Sequence, residues 1–260
     1  MAEVGPNPQD EAARIAWLSQ QIAFHSDLYY NQAKTQISDA EFDRLWDELK
    51  ALEPNHPQLN IVGSDVDPGT VKVEHMFSMS SLDKATSDEE INHFVNETAL
   101  GASRFLSQPK LDGSALSLEY RKGRLVRAAT RGSGERGEDV TRNARRVENV
   151  PESLAVEIDV HVRGEVVMRK TMFEQKYRVI SPNPRNLAAG ALRQKKAEGK
   201  AKAEDLVFQA YDAKFPDANN RHKDSISPPD FEQDSDVLEW LRGTAGIEPA
   251  PWQVHDFDGA

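Results

Sequence analysis

Hydrophobic residues in the first 60 positions repeat twice at the spacing of an α-helix. The first stretch can be capped by Asp10 and runs to about residue 30, and its apolar positions are Ile15, Leu18, Ile22 and Tyr29. The second begins at the capping box Ser38-Asp39-Ala40-Glu41 and ends before Pro54. Its apolar positions are Phe42, Leu45, Trp46, Leu49 and Leu52. This pattern predicts a small helical module.

Beyond residue 103 the pattern changes from helical spacing to alternation. Leu116, Leu118 and Tyr120 alternate with polar residues, and Lys122-Gly123 marks a turn to a return strand. Further strands are expected at 160–166 and 206–211, and further helices after the capping box at 87–90, at 186–194 and at 237–241, the last ended by Gly243. This order of elements predicts a helical module followed by an α+β domain.

The composition excludes several classes of protein. The chain has no cysteine, which removes disulfides, thiol catalysis and cysteine zinc sites and fits a reducing cytoplasm. No apolar run approaches the roughly 20 residues of a membrane span. The acidic N-terminus lacks the basic and apolar regions of a signal peptide. We therefore expect a cytoplasmic protein without a membrane partner.

Charge is distributed unevenly along the chain. The net charge is −11, yet residues 161–202 hold 11 Lys+Arg against 3 Asp+Glu, and residues 104–149 hold 11 against 6. A basic centre between acidic ends suits a phosphate-rich ligand. A solvated basic face without a partner explains the charge equally well.

The sequence Lys110-Leu111-Asp112-Gly113 is the candidate chemical centre, at a predicted strand end before a hairpin. A lysine is a nucleophile only when its amine is deprotonated and oriented, and neighbouring cations favour deprotonation. On a strand, Asp112 would share a face with Lys110 and could orient it, and Gly113 would let the backbone approach a ligand. The motif alone should occur by chance in about one chain of this length in twenty, so a surface Lys-Asp pair is the simpler explanation without further motifs.

Three further motifs follow the lysine. They are Ala-Ala-Thr-Arg-Gly-Ser-Gly-Glu-Arg-Gly-Glu-Asp-Val-Thr at 128–141, Val-Arg-Gly-Glu-Val at 162–166, and Asn-Pro-Arg-Asn-Leu-Ala-Ala-Gly-Ala-Leu-Arg-Gln at 183–194. Their order and spacing strongly resemble the adenylation domain of bacterial NAD+-dependent DNA ligases. Several independent motifs in one order make a chance resemblance a poor explanation.

The resemblance implies a role for each matching residue. Lys110 would take AMP from NAD+ as a phosphoramidate and release nicotinamide mononucleotide (NMN), with Asp112 as its catalytic partner. Residues implied to contact the adenosine, ribose and phosphate are Ser81, Leu82, Gln108, Gly113, Arg131, Glu165 and Tyr211, the last by stacking on adenine. Residues implied to lie near the nucleotide and the nicked-DNA phosphate are Asn183, Arg185 and Arg193. Singly, Glu165 could be a strand-end carboxylate, Tyr211 a core aromatic and Arg193 a surface cation.

The helical module favours NAD+ over ATP. Tyr29 could stack on the cationic nicotinamide ring, and Asp39 and Asp43, four residues apart on one helix face, suit its charge and the ribose hydroxyls. The module resembles the N-terminal module of the NAD+-dependent ligases, which ATP-dependent ligases lack. Without the downstream domain, a capped surface helix with an acidic face would be the simpler explanation.

Five positions depart from the family pattern. Tyr30 stands where histidine is usual, Phe42 where tyrosine is usual and Gln108 where glutamate is usual, while Ser78 and Ser80 replace Pro and Leu. We also find neither of the family's two later lysine-bearing strands nor its later domains. The expectation is either a fragment or a shortened relative that binds NAD+ or NMN and seals nicks poorly.

These features predict an α+β fold, in which a small N-terminal helical module precedes an antiparallel-sheet nucleotidyltransferase domain of the ATP-grasp-like ligase adenylation type, truncated at its C-terminus. The expected divisions are an NMN-binding module at 1–60, a linker at 61–80 and the adenylation domain at 81–260.

The predicted function is NAD+-dependent sealing of nicked double-stranded DNA in replication and repair by a monomer, with NAD+ and Mg2+ (or Mn2+) as cofactors. The alternatives are a non-catalytic NAD- or NMN-binding remnant, an ATP-dependent ligase or capping-type transferase, and a purely DNA-binding protein.

Overall fold

The computed structural model describes residues 10–30, 36–60, 71–80, 84–98, 102, 104–194 and 201–256, with only the backbone at 27, 29, 30, 39, 60 and 98. The helices are α1 (Glu11–Tyr30), α2 (Asp39–Leu52), α3 (Asp88–His93), α4 (Thr141–Ala144), α5 (Lys170–Met172), α6 (Pro184–Arg193) and α7 (Asp234–Trp240). The strands are β1 (Lys72–Glu74), β2 (Arg104–Ser107), β3 (Ser114–Arg121), β4 (Arg124–Thr130), β5 (Arg136–Glu138), β6 (Val160–Met168), β7 (Leu206–Lys214) and β8 (Gln253–Asp256). Helices α3, α5 and α7 each continue into a π-helical turn.

Helices α1 and α2 form the predicted helical module. Leu18, Ile22 and Leu49 are fully buried between them, and burial of such a side chain stabilises a fold by about 1.5–3 kcal/mol. Arg14 donates two hydrogen bonds to the Glu48 carboxylate, of 2.6 and 2.7 Å, and so ties the first helix to the second. The predicted capping box that opens α2 is confirmed, and so is the one that opens α3.

The larger part of the chain is built on a four-stranded antiparallel sheet in the order β4-β3-β6-β7. One face of the sheet is apolar and packs against α4, α6 and α7. Alternate residues on β3 and β6 point to the opposite face, which is polar and carries Glu119, His161, Arg163 and Glu165. The two-stranded sheets β1-β5 and β2-β8 complete the fold. The predicted combination of helices with an antiparallel sheet is confirmed.

The predicted turn at Lys122-Gly123 joins β3 to β4, and both residues have positive φ, of 48° and 71°. A fully buried carboxylate holds this turn, because Asp159 accepts the backbone N–H of Lys122 at 2.7 Å. The same carboxylate accepts the backbone N–H of His222 at 2.6 Å and pairs with Arg121 at 3.2 Å. Asp159 therefore anchors both the hairpin turn and the loop that follows β7.

Helix α7 does not end where the sequence indicates. The expected stop at Gly243 is wrong, because the π-helical turn Leu241–Ala245 passes through it. The helical segment ends at Gly246, which adopts the left-handed conformation that glycine favours at a helix C-terminus (φ 79°, ψ 27°). A Cβ added at Gly243 would meet nothing within 4 Å, so Gly243 is simply an exposed position on this turn.

Residues 71–80, here called the strap, lie against the sheet domain. Its strand β1 pairs with β5, and the backbone N–H groups of His75 and Met79 donate to the carbonyls of Glu135 and Gly134, both at 2.9 Å. Phe77 packs edge-on against His161, with 5.3 Å between ring centroids.

The division of the chain into domains at 60 and 80 stays a prediction. None of the helices in the described ranges is long and apolar enough to cross a lipid bilayer.

Candidate active site

Lys110 lies in an irregular loop between β2 and β3, ahead of the β3–β4 hairpin. The expectation that Lys110 and Asp112 share a strand is wrong, since the sheet begins only at Ser114. Lys110 is exposed, and the Asp112 side chain is 70% exposed. The Asp112 carboxylate lies 3.6 Å from the Arg185 guanidinium at the start of α6. The loop therefore presents both side chains to solvent beside a helix N-terminus.

Gly113 brings this loop onto strand β6. A Cβ atom at Gly113 would lie 2.2 Å from the carbonyl oxygen of Val166, 2.8 Å from Cγ1 of Val167 and 2.9 Å from Cγ of Glu165. Real Cβ atoms do not approach backbone oxygen so closely, so only glycine fits here. The close approach that we expected towards a ligand is therefore made towards the neighbouring strand.

Glu165 is the half-buried carboxylate on which the loop rests. It lies on the polar face of β6, opposite Ala115 of β3 and Gln209 of β7. Burial raises its pKa to about 7, although the positive charges of Arg185 and Lys110 and a hydrogen bond from the Gly113 N–H act in the opposite direction. A carboxyl group whose pKa lies near neutrality can exchange a proton under physiological conditions.

Tyr211 lies on β7 at the same face and is half-buried. Burial, with the negative charge of Glu165, raises its pKa to about 12, while Arg163 and Arg131 act in the opposite direction. The phenol is therefore neutral throughout the physiological range. The structure brings Tyr211, Glu165 and Arg131 to one region of the polar face.

Two arginines connect this face to the strap. Arg131 Nε donates to the carbonyl oxygen of Met79 at 2.8 Å, and Arg163 Nη1 donates to that of Ser78 at 3.0 Å. Arg163 also forms an ion pair with Asp212. We did not single out Arg163 from the sequence, although its place two residues before Glu165 on one strand puts both on the same face.

Helix α6 supplies the three residues expected near phosphate. Asn183 is its N-cap, and the Asn183 side chain accepts the Arg185 N–H at 2.8 Å. Arg193 forms an ion pair of 2.7 Å with Glu138, whose side chain is 4% exposed. Asn183 and Arg193 therefore stabilise the fold, whereas Arg185 lies beside the lysine loop.

The remaining expected contacts are only partly described. Ser81 and Leu82 lie outside the described residues, as do the side chains of Tyr29 and Asp39. Asp43 pairs with Lys84 at 2.9 Å, with both side chains exposed. Phe42 packs against the core of the helical module, with 6.2 Å between the ring centroids of Phe42 and Trp46. A ring without a hydroxyl group suits these apolar surroundings.

The residues around Lys110 fit a nucleotide. Lys110 and Arg185 offer positive charge to phosphates, and Tyr211 offers an aromatic face. Gln108, half-buried just before Lys110, has a buried amide nitrogen without a hydrogen-bond partner in the described part of the chain, which leaves a donor for a polar ligand. Among the same residues, no cluster of three or more His, Asp or Glu side chains could hold a metal ion.

Comparison with known proteins gives two family matches. The family described as NAD-dependent DNA ligase adenylation domain matches residues 69–231. The family described as DNA ligase-like, N-terminal NAD+-binding domain matches residues 8–65. Together they span both the helical module and the sheet domain.

Curated relatives carry the name DNA ligase. One from Leptospira biflexa is 36% identical over 232 residues, covering 84% of this chain and 34% of the relative. One from Marinobacter nauticus is 40% identical over 212 residues, covering 73% and 31%. One from Methylorubrum extorquens is 38% identical over 255 residues, covering 89% and 30%. The chain therefore spans about a third of the length of these relatives. A solved chain titled "Pmar-Lig_Pre." aligns at 16% identity with a TM-score of 0.33, covering 64% of this chain and 34% of that one.

Proposed function

Because the chain belongs to the NAD-dependent DNA ligase adenylation family, whose match covers more than half of it, we propose that it transfers AMP from NAD+ to Lys110. In this step a bond forms between Lys110 Nζ and the α-phosphorus. The bond from that phosphorus to the bridging oxygen breaks, and NMN leaves with the electron pair.

The observation that carries the proposal is the placement of Lys110. Its loop is exposed, held on β6 through Gly113, and flanked by the Arg185 guanidinium. An exposed amine can reach a substrate phosphate, and a neighbouring guanidinium can stabilise negative charge on phosphate oxygens. Tyr211 and the Gln108 amide suit the adenine, and Arg131 suits the ribose and phosphate region.

The helical module supports NAD+ as the donor, since its matching family is described as NAD+-binding. We propose that Tyr29, Asp39 and Asp43 bind the NMN half, with Ser81 and Leu82 along the adenosine. Asp43 would have to exchange its partner Lys84 for the substrate. Mg2+, when bound, would neutralise phosphate charge, and we assign no side chain to it.

The later steps belong to the proposal for the whole protein. The adenylate would pass from Lys110 to the 5′-phosphate of nicked DNA, and a 3′-hydroxyl would then displace AMP. Arg185 and Arg193 are the candidates for the DNA phosphate, and Arg193 would have to leave Glu138 to serve it. Nick sealing of this kind serves DNA replication and repair.

Intact mass after incubation with NAD+ and Mg2+ tests the first step. We expect a gain of one AMP in the wild type and none in Lys110→Ala, with an ATP arm that gives no gain. Lys214→Ala is the matched control, because Lys214 is also an exposed lysine but pairs with His161, at the opposite end of β6 from Val166 and the lysine loop. No gain in a folded wild-type protein would favour a non-catalytic NAD- or NMN-binding protein. A gain from ATP alone would favour an ATP-dependent transferase.

A further inference from the structure

An ion pair between Asp43 and Lys84 joins the helical module to the segment that precedes α3. Lys84 Nζ donates to the Asp43 carboxylate at 2.9 Å. Asp43 lies on α2, within the part of the chain that matches a family described as NAD+-binding. Both side chains are exposed, at 65% for Lys84 and 53% for Asp43, so each can exchange its partner for a ligand.

This ion pair brings a positive charge to a surface that is otherwise acidic. Helix α2 carries five acidic and two basic residues. The hydrogen bond to Asp43 and the negative charges of Asp43, Asp47 and Glu90 raise the pKa of Lys84, so its amine is charged at physiological pH. Without this ammonium group the carboxylates would repel an anionic ligand.

NMN carries the same two charges as the ion pair. Its nicotinamide ring is cationic, its phosphate is anionic, and a ribose separates them. A carboxylate suits the ring, and lysine binds phosphate as a point charge. Because the lysine ammonium ends a flexible stem of four carbons, it can move to a phosphate while Asp43 turns to the ring.

We propose that Lys84 binds the phosphate of NMN. In the structure the Lys84 ammonium pairs with Asp43. When NMN binds, the nicotinamide ring replaces the ammonium beside Asp43, and the phosphate replaces the carboxylate beside Lys84. Two ion pairs then stand in place of one, and both protein charges keep a partner. This role rests on the proposed binding of the NMN half by the helical module, and it adds a phosphate ligand from outside that module.

Isothermal titration calorimetry of the whole chain with NMN and with nicotinamide riboside tests this role, because the two compounds differ only in the phosphate. We expect the wild type to prefer NMN by about 5-fold, the upper end of the range for an ion pair between exposed groups. In Lys84→Gln this preference should disappear through a loss of NMN affinity. Nicotinamide riboside should bind this variant at least as tightly as the wild type, since Asp43 no longer has a competing partner. Lys84→Arg keeps the charge and should keep the preference.

Two other variants separate the phosphate contact from the ring contact. Asp43→Asn should weaken both compounds and leave the preference for NMN, because it removes the partner of the ring and retains Lys84. Lys50→Gln is the matched control, since Lys50 is also an exposed lysine but lies on α2 about 10 Å along the helix from Asp43. It should behave as wild type.

The results distinguish the role of Lys84 from the proposed function itself. A Lys84→Gln variant that still prefers NMN, or that weakens NMN and nicotinamide riboside equally, would overturn the phosphate contact and leave the NMN site in place. A wild-type protein that binds neither compound would contradict the proposed NMN site, and the role of Lys84 with it.

Discussion

Replacing Gly113 with alanine tests whether contact with β6 holds the lysine loop in place. The added methyl group would meet the Val166 carbonyl oxygen at 2.2 Å. Val166 belongs to a central strand and pairs with both Ser114 of β3 and Phe208 of β7. Any shift of its backbone would therefore disturb the pairing of β6 with both neighbouring strands. Overpacking of a well-packed site costs about 1–3 kcal/mol, and we expect the upper half of this range.

The effect should be visible both in stability and in adenylylation. At this chain length, 1 kcal/mol shifts Tm by about 2–4 °C, so Gly113→Ala should lower Tm by about 5–10 °C in a circular dichroism melt. The displaced loop should also slow transfer of AMP to Lys110. Gly190→Ala is the matched control, because Gly190 is exposed on α6 and a methyl group there would meet nothing within 4 Å. It should raise stability by about 0.5–1 kcal/mol through helix propensity. An unchanged Tm in Gly113→Ala would refute the reasoning.

Three further predictions use other contacts. Asp159→Asn should cost about 1.5–3 kcal/mol in urea unfolding at pH 7, since it weakens hydrogen bonds to a buried charge. Burial is the largest single influence on Asp159 and opposes its ionisation, but the hydrogen bonds to the carboxylate together outweigh burial and lower the pKa of Asp159. The carboxylate therefore stabilises the fold fully above the unfolded pKa of about 3.9, and this stabilisation is lost as the pH falls through the lower folded pKa. The cost of Asp159→Asn should accordingly vanish in acid. Arg163→Ala should speed amide hydrogen exchange at Met79 by about 5–30-fold, because the strap loses the hydrogen bond that Arg163 donates to the Ser78 carbonyl oxygen. Unchanged exchange at Met79 would contradict this role of Arg163. Tyr211→Ala should raise the NAD+ concentration for half-maximal adenylylation by about 5–150-fold, the value of one stacked base, whereas Tyr211→Phe should change it little; equal behaviour would contradict stacking.

Local patterns predicted most of the elements because local interactions determine them. A capping box satisfies N–H groups within one turn, so Ser38 and Ser87 predicted the starts of α2 and α3. The turn at Lys122-Gly123 needs two positive φ angles, a demand that a Lys-Gly pair between alternating strands indicates. The end of α7 was missed because its π-helical turn extends the segment to Gly246, and no residue spacing predicts that extension.

Long-range contacts account for what the sequence could not predict about the site. The loop conformation at Lys110 and Asp112 depends on Gly113 meeting Val166, more than 50 residues away, through the register of β3 on β6. Arg163 was overlooked because its partners, Ser78 and Asp212, come from the strap and from β7. Only the pairing of strands brings such positions together.

Ion pairs between distant parts of the chain change how the basic centre at residues 161–202 should be interpreted. Counted along the chain, residues 161–202 carry 11 Lys+Arg against 3 Asp+Glu, which suggests a strongly positive surface. In the structure, six of these cations form ion pairs, namely Arg163, Arg169, Lys176, Arg178, Arg185 and Arg193. Five of their acidic partners, all except Glu174, lie outside this range. Much of the positive charge is therefore neutralised within the protein. Any DNA phosphate that binds these arginines must replace a carboxylate, so affinity should depend on that exchange as well as on net charge.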